Sequence, residues 1–160
     1  MSPVITAHPD GFLGRRYLLS LDRGEPMTIP VGAFGRRFGF ELAGEAWTVQ
    51  SSGWRGRFTL ERARDRYSPA RAEPKGWFSF TYVLHLADRR LELVTRGFLG
   101  RRWDVLHGER TVGQVRGRGF FGRELQADLP EGLPAAVRIF IVLTVIMIQR
   151  RRAAGAAAAG

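Results

Sequence analysis

The chain has 160 residues, 44% of them hydrophobic, enough for one domain with a substantial core and too few for two. Its 25 Lys and Arg outnumber its 15 Asp and Glu to give a formal charge of +10, and Lys75 is the single lysine. The absence of cysteine excludes disulfide scaffolds, thiol catalysis and cysteine zinc sites, while arginine excess favours anionic partners such as phospholipid headgroups or nucleic acid.

From the N-terminus, Met1 to His8 carries neither a basic region nor an apolar one of the kind that opens a secretory leader, so a cytoplasmic protein is expected. His8-Pro9-Asp10 has no helical pattern beside it and reads as a turn. A recurring phrase then begins, with glycine and arginine between aromatic residues, followed by apolar alternation. Its copies are GFLGRRYLLSL from Gly11, AFGRRFGFEL from Ala33, GWRGRFTL from Gly53, GFLGRRWDVL from Gly97 and, altered, GFFGRELQADL from Gly119. Each copy places a turn and then resumes period two, as in Phe38, Phe40 and Leu42, which is how a half-buried strand reads. The unequal separations exclude a solenoid of fixed repeat.

Between the copies, further strands are expected at Met27 to Val31, Trp47 to Ser52, Trp77 to Leu86, Leu91 to Arg96 and Thr111 to Arg116. Turns fall at Asp22 to Glu25, Ala43 to Glu45, Asp88 to Arg90 and His107 to Glu109, where Gly or Asp accepts a positive φ. Ala63 to Gly76, polar and carrying Pro69 and Pro74, is expected to be a loop joining two halves of one core. Gly117-Arg118-Gly119-Phe120-Phe121-Gly122 matches the spacing of a dinucleotide loop, but Pro130 cuts short the segment where the helix of such a site would run. The same Gly-Phe corner also recurs elsewhere, so a hairpin turn is expected.

Ile139 to Ile148 is apolar on every side. Ten residues of helix rise about 15 Å, half of a bilayer's roughly 30 Å core, so burial inside protein fits better than a membrane span. The β-branched content would also suit a central strand, but Pro134 at the start and Arg150 to Arg152 at the end favour a helix over about 134–150. Its core face is expected to include Ile139, Phe140, Val142, Leu143 and Ile146. Residues 1–152 form the expected single domain, and the Ala/Gly stretch 153–160 is expected to be a disordered tail.

The segment Leu91 to Ile148 resembles the ending of the LURP-one-related and scramblase-like branch of the tubby-like superfamily: a strand, a Gly-Phe corner, a strand, a turn, a strand reading Val-Gly-x-Val, then an acidic-proline step into an apolar helix. Phe12 to Leu21 and Phe34 to Leu42 resemble the same phrase earlier in that family. The resemblance implies a mainly β protein, a closed antiparallel barrel of about twelve strands enclosing one hydrophobic C-terminal helix. The family includes phosphoinositide-binding domains and proteins named as phospholipid scramblases; the proline-rich extension and acylated cysteines frequent in the latter are missing here.

Histidines 8, 85 and 107 have no partner at metal-ligand or triad spacing, so no metal, cofactor or catalytic residue is assigned and a non-enzymatic binding module is expected. The recurring polar feature is arginine at the corners: Arg15, Arg16, Arg36, Arg37, Arg55, Arg57, Arg101, Arg102, Arg116 and Arg118. If the corners share one end of the barrel, these residues form a basic rim beside Phe12, Phe34, Trp54 and Phe98, suited to anionic lipid headgroups at the inner face of the membrane. The alternatives are solvated turns that keep strand edges apart, nucleic-acid binding, and membrane anchoring through 133–148.

Overall fold

The structure, a computed structural model, describes residues 4–10, 15–22, 24–30, 37–53, 56–76, 81–97, 100–118 and 123–159. Twelve strands precede one helix: β1 (Val4–Asp10), β2 (Arg16–Leu21), β3 (Met27–Pro30), β4 (Arg37–Leu42), β5 (Glu45–Ser52), β6 (Arg57–Arg62), β7 (Ala70–Pro74), β8 (Thr81–Leu86), β9 (Arg90–Arg96), β10 (Arg102–His107), β11 (Arg110–Arg118), β12 (Glu124–Asp128) and α1 (Ala135–Ala159). They form a single antiparallel sheet in the order β3-β2-β1-β12-β11-β10-β9-β8-β7-β6-β5-β4. The β1–β12 ladder, from Val4↔Asp128 to Ala7↔Leu125, joins the chain's first strand to its last, and β3 approaches β4 without a ladder, so the barrel is nearly closed. At that seam β3 is short and ends in Pro30, and β4 turns Arg37 and Glu41 outward, which discourages pairing with other chains.

Period-two alternation builds the wall. Along β4, Phe38 and Phe40 face inward and are buried while Arg37, Gly39 and Glu41 are exposed. Tyr17 and Leu19, Phe58 and Leu60, Leu91 and Leu93, and Leu125 and Ala127 do the same on their strands. These side chains surround α1, in which every residue from Ile139 to Ile146 is fully buried and Thr144 turns its hydroxyl onto the Phe140 carbonyl oxygen at 2.8 Å. A helix can be apolar all round only when protein covers it all round, and here the barrel does. The five expected helix core residues, Ile139, Phe140, Val142, Leu143 and Ile146, all belong to this enclosed stretch.

Three sequence expectations are corrected. The expected loop 63–76 contains β7, whose inward residues Ala70 and Ala72 pair with Leu86 and Leu84 of β8; Pro74 comes at its last position. His8-Pro9-Asp10 is not a free turn but the end of β1. Pro9 is accommodated because the β12 ladder has stopped at Ala7 and only β2 pairs there, at Pro9↔Tyr17. The helix starts at Ala135, one residue after Pro134, and runs past 150 through the Ala/Gly stretch to Ala159. Once the enclosed segment has nucleated the helix, alanine extends it at little cost, although the side chains of 153–158 are exposed.

The β4–β5 turn carries a measurable strain. Leu42 pairs with Glu45, leaving Ala43 and Gly44 as a two-residue connection with φ of 51° and 78°. That is the geometry of a type I′ turn, which glycine enters freely and alanine does not. Ala43→Asn, which creates the favoured Asn-Gly pair, is expected to raise stability by about 1 kcal/mol, read as a higher urea midpoint at unchanged slope. An unchanged midpoint would show that Ala43 is not strained.

Candidate functional site

Because every strand pairs antiparallel with its neighbour in the chain or across β1–β12, odd-numbered strands run toward one end of the barrel and even-numbered strands away from it. All the odd-to-even connections therefore lie at one end, and each recurring Gly-Arg phrase belongs to such a connection. This end gathers Arg15 and Arg16 before and at the start of β2, Arg37 at the start of β4, Arg57 at the start of β6, Arg101 and Arg102 before and at the start of β10, and Arg116 and Arg118 near the end of β11. Arg36, Arg55, Phe12, Phe34, Trp54 and Phe98 lie outside the described residues.

The described corner arginines are exposed and lie on the outer wall. Arg16 is 3.9 Å from Asp10, Arg57 is 3.9 Å from Glu73, and Arg102 is 3.5 Å from Asp104. Arg116 donates to Gln114 at 2.9 Å and Arg118 to Gln126 at 2.7 Å. They make a belt around the barrel end rather than a convergent pocket, and such exposed pairs hold the side chains only weakly. Asp104 differs, since it is 6% exposed with Arg96 donating to its Oδ2 at 3.2 Å. Its Oδ1 is close enough to Arg102 for charge attraction but accepts no hydrogen bond.

Three functional candidates were hidden in the sequence. Strand β12 ends at the opposite end of the barrel, so α1 enters there and passes through to the arginine end. Its 25 residues span about 37 Å, against roughly 20 Å for a six-residue strand. Arg150, Arg151 and Arg152 consequently stand in the barrel mouth. The Arg150 guanidinium is 5.5 Å from the centre of the Tyr17 ring, Arg151 is 5.4 Å from Phe58, and Arg152 is 4.9 Å from Trp103. Arg151 also donates to Ser51 Oγ at 2.7 Å and Arg152 to Thr95 Oγ1 at 3.3 Å. Each cation over a ring contributes about 1 kcal/mol when partly desolvated.

The recurring phrase explains these seats. In Arg16-Tyr17, Arg57-Phe58 and Arg102-Trp103 the arginine begins the strand on the outside, so the next residue must face in, at the level of the mouth. The same dipeptide supplies an outer cation and an inner aromatic seat for a helix cation. Burial pushes the Arg152 guanidinium below the ordinary arginine value, opposed by nearby Tyr82, and burial raises the Tyr82 phenol. Arginine's ordinary value is high enough that Arg152 keeps its charge. The sequence signal was the pairing of arginine with an aromatic at strand starts; Arg150 to Arg152 themselves looked like a helix end. They are not its last turn, which is alanine.

Among the described residues, no group of three His, Cys, Asp or Glu is placed to hold a metal ion, and no helix is long and apolar enough to cross a membrane. No protein-family model, curated protein or solved structure matches this chain.

Proposed function

We propose that this protein is a non-enzymatic binding module that holds anionic phospholipid headgroups against the arginine end of its barrel, as a peripheral protein at the cytoplasmic face of a membrane. The observation that carries the reading is a shared end: the strand order brings the corner arginines to the end where Arg150, Arg151 and Arg152 emerge from the core. Guanidinium groups suit phosphate oxygens because their planar N–H forks match two oxygens at once, and the contacts with Tyr17, Phe58 and Trp103 keep three of them at the mouth. The barrel around an apolar C-terminal helix also supports placing the chain with the LURP-one-related, tubby-like proteins, and lipid binding in that group is consistent with the same end.

Basic residues near an anionic surface each contribute about 1 kcal/mol, and the attraction decays over about 8 Å in physiological salt. The purified chain is therefore expected to co-sediment with phosphatidylserine-containing vesicles at low salt, to leave them at high salt, and to ignore neutral vesicles. Equal, salt-resistant binding to both kinds would mean insertion of apolar segments instead. Failure to bind either, with tight binding to DNA or RNA in the same buffer, would transfer the basic end to nucleic acid.

A further inference from the structure

At the end of the barrel where α1 begins, a cavity of about 430 Å³ separates the first helical turn from the ends of β5, β6 and β8. Its walls are apolar, built from Trp47, Leu86, Ala87, Leu133, Ala136 and Val137. Small residues, Ala135 and Ala136, start the helix on one side, and Tyr67 and Pro69 of the β6–β7 connection line the other. That connection is fixed by backbone hydrogen bonds from Arg62 N to Tyr67 O and from Arg66 N to Arg62 O, both 2.8 Å, with Arg66 in left-handed backbone at φ 59°. Tyr67 sits on the lip, 47% exposed, and does not fill the space beside it.

The charged residues that line the cavity are Arg62, Arg89 and Asp88, and with Asp65, which binds Arg62, the two cations are matched by two carboxylates. Both guanidiniums are paired bidentately with a carboxylate. Arg62 donates to the two Asp65 oxygens from Nε at 3.0 Å and Nη2 at 2.7 Å, and Arg89 donates to the two Asp88 oxygens at 3.2 and 2.9 Å. Each of these bidentate pairs engages two of five N–H groups, so further donors remain on each guanidinium. The Asp65 carboxyl is held down at about 2 by the Arg62 hydrogen bonds, so the clamp persists at neutral pH. The volume and the apolar lining with a few fixed polar groups are those of a small-molecule site.

We infer that this cavity binds a small amphipathic monocarboxylate, its apolar body against Trp47, Leu133 and Val137 and its carboxylate toward Arg62 and Arg89. The guanidinium N–H groups not engaged by Asp65 or Asp88 can only donate, so they select a charged acceptor such as a carboxylate over an ammonium, and the apolar walls select a hydrocarbon or aromatic body over a sugar. This site is separate from the arginine end and does not depend on the reading given to that end.

The test is titration of the ¹⁵N-labelled full chain with octanoate, octanol and octylamine, followed by amide shifts. Octanoate is expected to move the amides of residues 86–89, 132–133 and 135–137, with octanol and octylamine at least about tenfold weaker. Arg89→Gln, at an exposed turn, is expected to weaken octanoate about tenfold, as loss of one charged hydrogen bond predicts. Ala136→Leu, which narrows the cavity, is expected to weaken all three probes. Three results would each overturn the inference: no shifts at this end with any probe, three probes of equal strength with Arg89→Gln unaffected, or octanoate shifts confined to the amides near Arg150 to Arg152. The last would leave the anionic-surface reading standing while removing the cavity.

Discussion

Val142→Asp is expected to leave the chain without a cooperatively folded state. Val142 is completely buried in the enclosed N-terminal half of α1, between turns that are themselves enclosed, so a carboxylate there has no route to water. The penalty for an unpaired buried charge remains several kcal/mol after relaxation, and a domain of this size is stabilised by only about 5–15 kcal/mol. Neither Asp nor Glu occurs within α1, and Arg138 reaches the Leu133 carbonyl at 3.1 Å only because it lies near the helix start. Val142→Ala provides the scale, since it removes buried apolar volume without adding charge and should cost about 2 kcal/mol. Thermal melts followed by circular dichroism separate the two variants. A soluble Val142→Asp protein with a sharp melt would mean that the helix does not occupy the barrel interior.

The barrel was legible because alternation survives wherever inward side chains are large. Phe38 and Phe40, or Leu91 and Leu93, announce their strands, and Gly44 and Gly108 announce the turns that join them. β7 escaped because its inward positions are Ala70 and Ala72, which fill space near the helix without a strong hydrophobic signal, and because Pro69 and Pro74 bracket it. β1 escaped for a related reason: Pro9 looks like a break until the partner strands show where the second ladder ends. The C-terminal helix was legible in its enclosed part, where no face is polar. Its extension to Ala159 depends on propensity alone, and alanine in a low-complexity tail reads equally as helix or as coil.

The candidate site was half legible for a topological reason. Arginines at corners could be found by their repetition, but gathering them at one end requires the knowledge that every phrase sits between an odd strand and an even one. Arg150 to Arg152 required more, since a cation's seat on an aromatic ring joins residues far apart in the chain, as in Arg151 with Phe58 and Ser51. No local pattern records such a contact. Gly56 shows how closely the two are fitted: with φ at 83°, a Cβ there would stand 2.5 Å from the Arg151 guanidinium, so glycine in the phrase both makes the turn and leaves room for the helix arginine.

The second large effect is expected from Arg150→Gln, Arg151→Gln and Arg152→Gln combined. If each arginine contributes about 1 kcal/mol at an anionic surface, the three together contribute about 3 kcal/mol, and binding to phosphatidylserine vesicles at about 0.1 M salt should fall about a hundredfold. The matched control removes three arginines from the other end: Arg64 and Arg66 in the β6–β7 connection, with side chains 66% and 80% exposed, and Arg90 at the start of β9. Net charge falls equally in both triple variants. The strands place those residues roughly 20 Å from the barrel mouth, beyond a Debye length of about 10 Å at 0.1 M salt, so the control should lose less than about threefold. Equal losses would show that total charge, not the arginine end, governs attachment. Because the helix arginines also rest on Tyr17, Phe58 and Trp103, their replacement by lysine separates charge from packing. The lysine variant keeps three charges without planar forks; if it binds vesicles within a few fold of the parent, the headgroups respond to charge at the mouth, and if it falls as far as the glutamine variant, they require the guanidinium geometry.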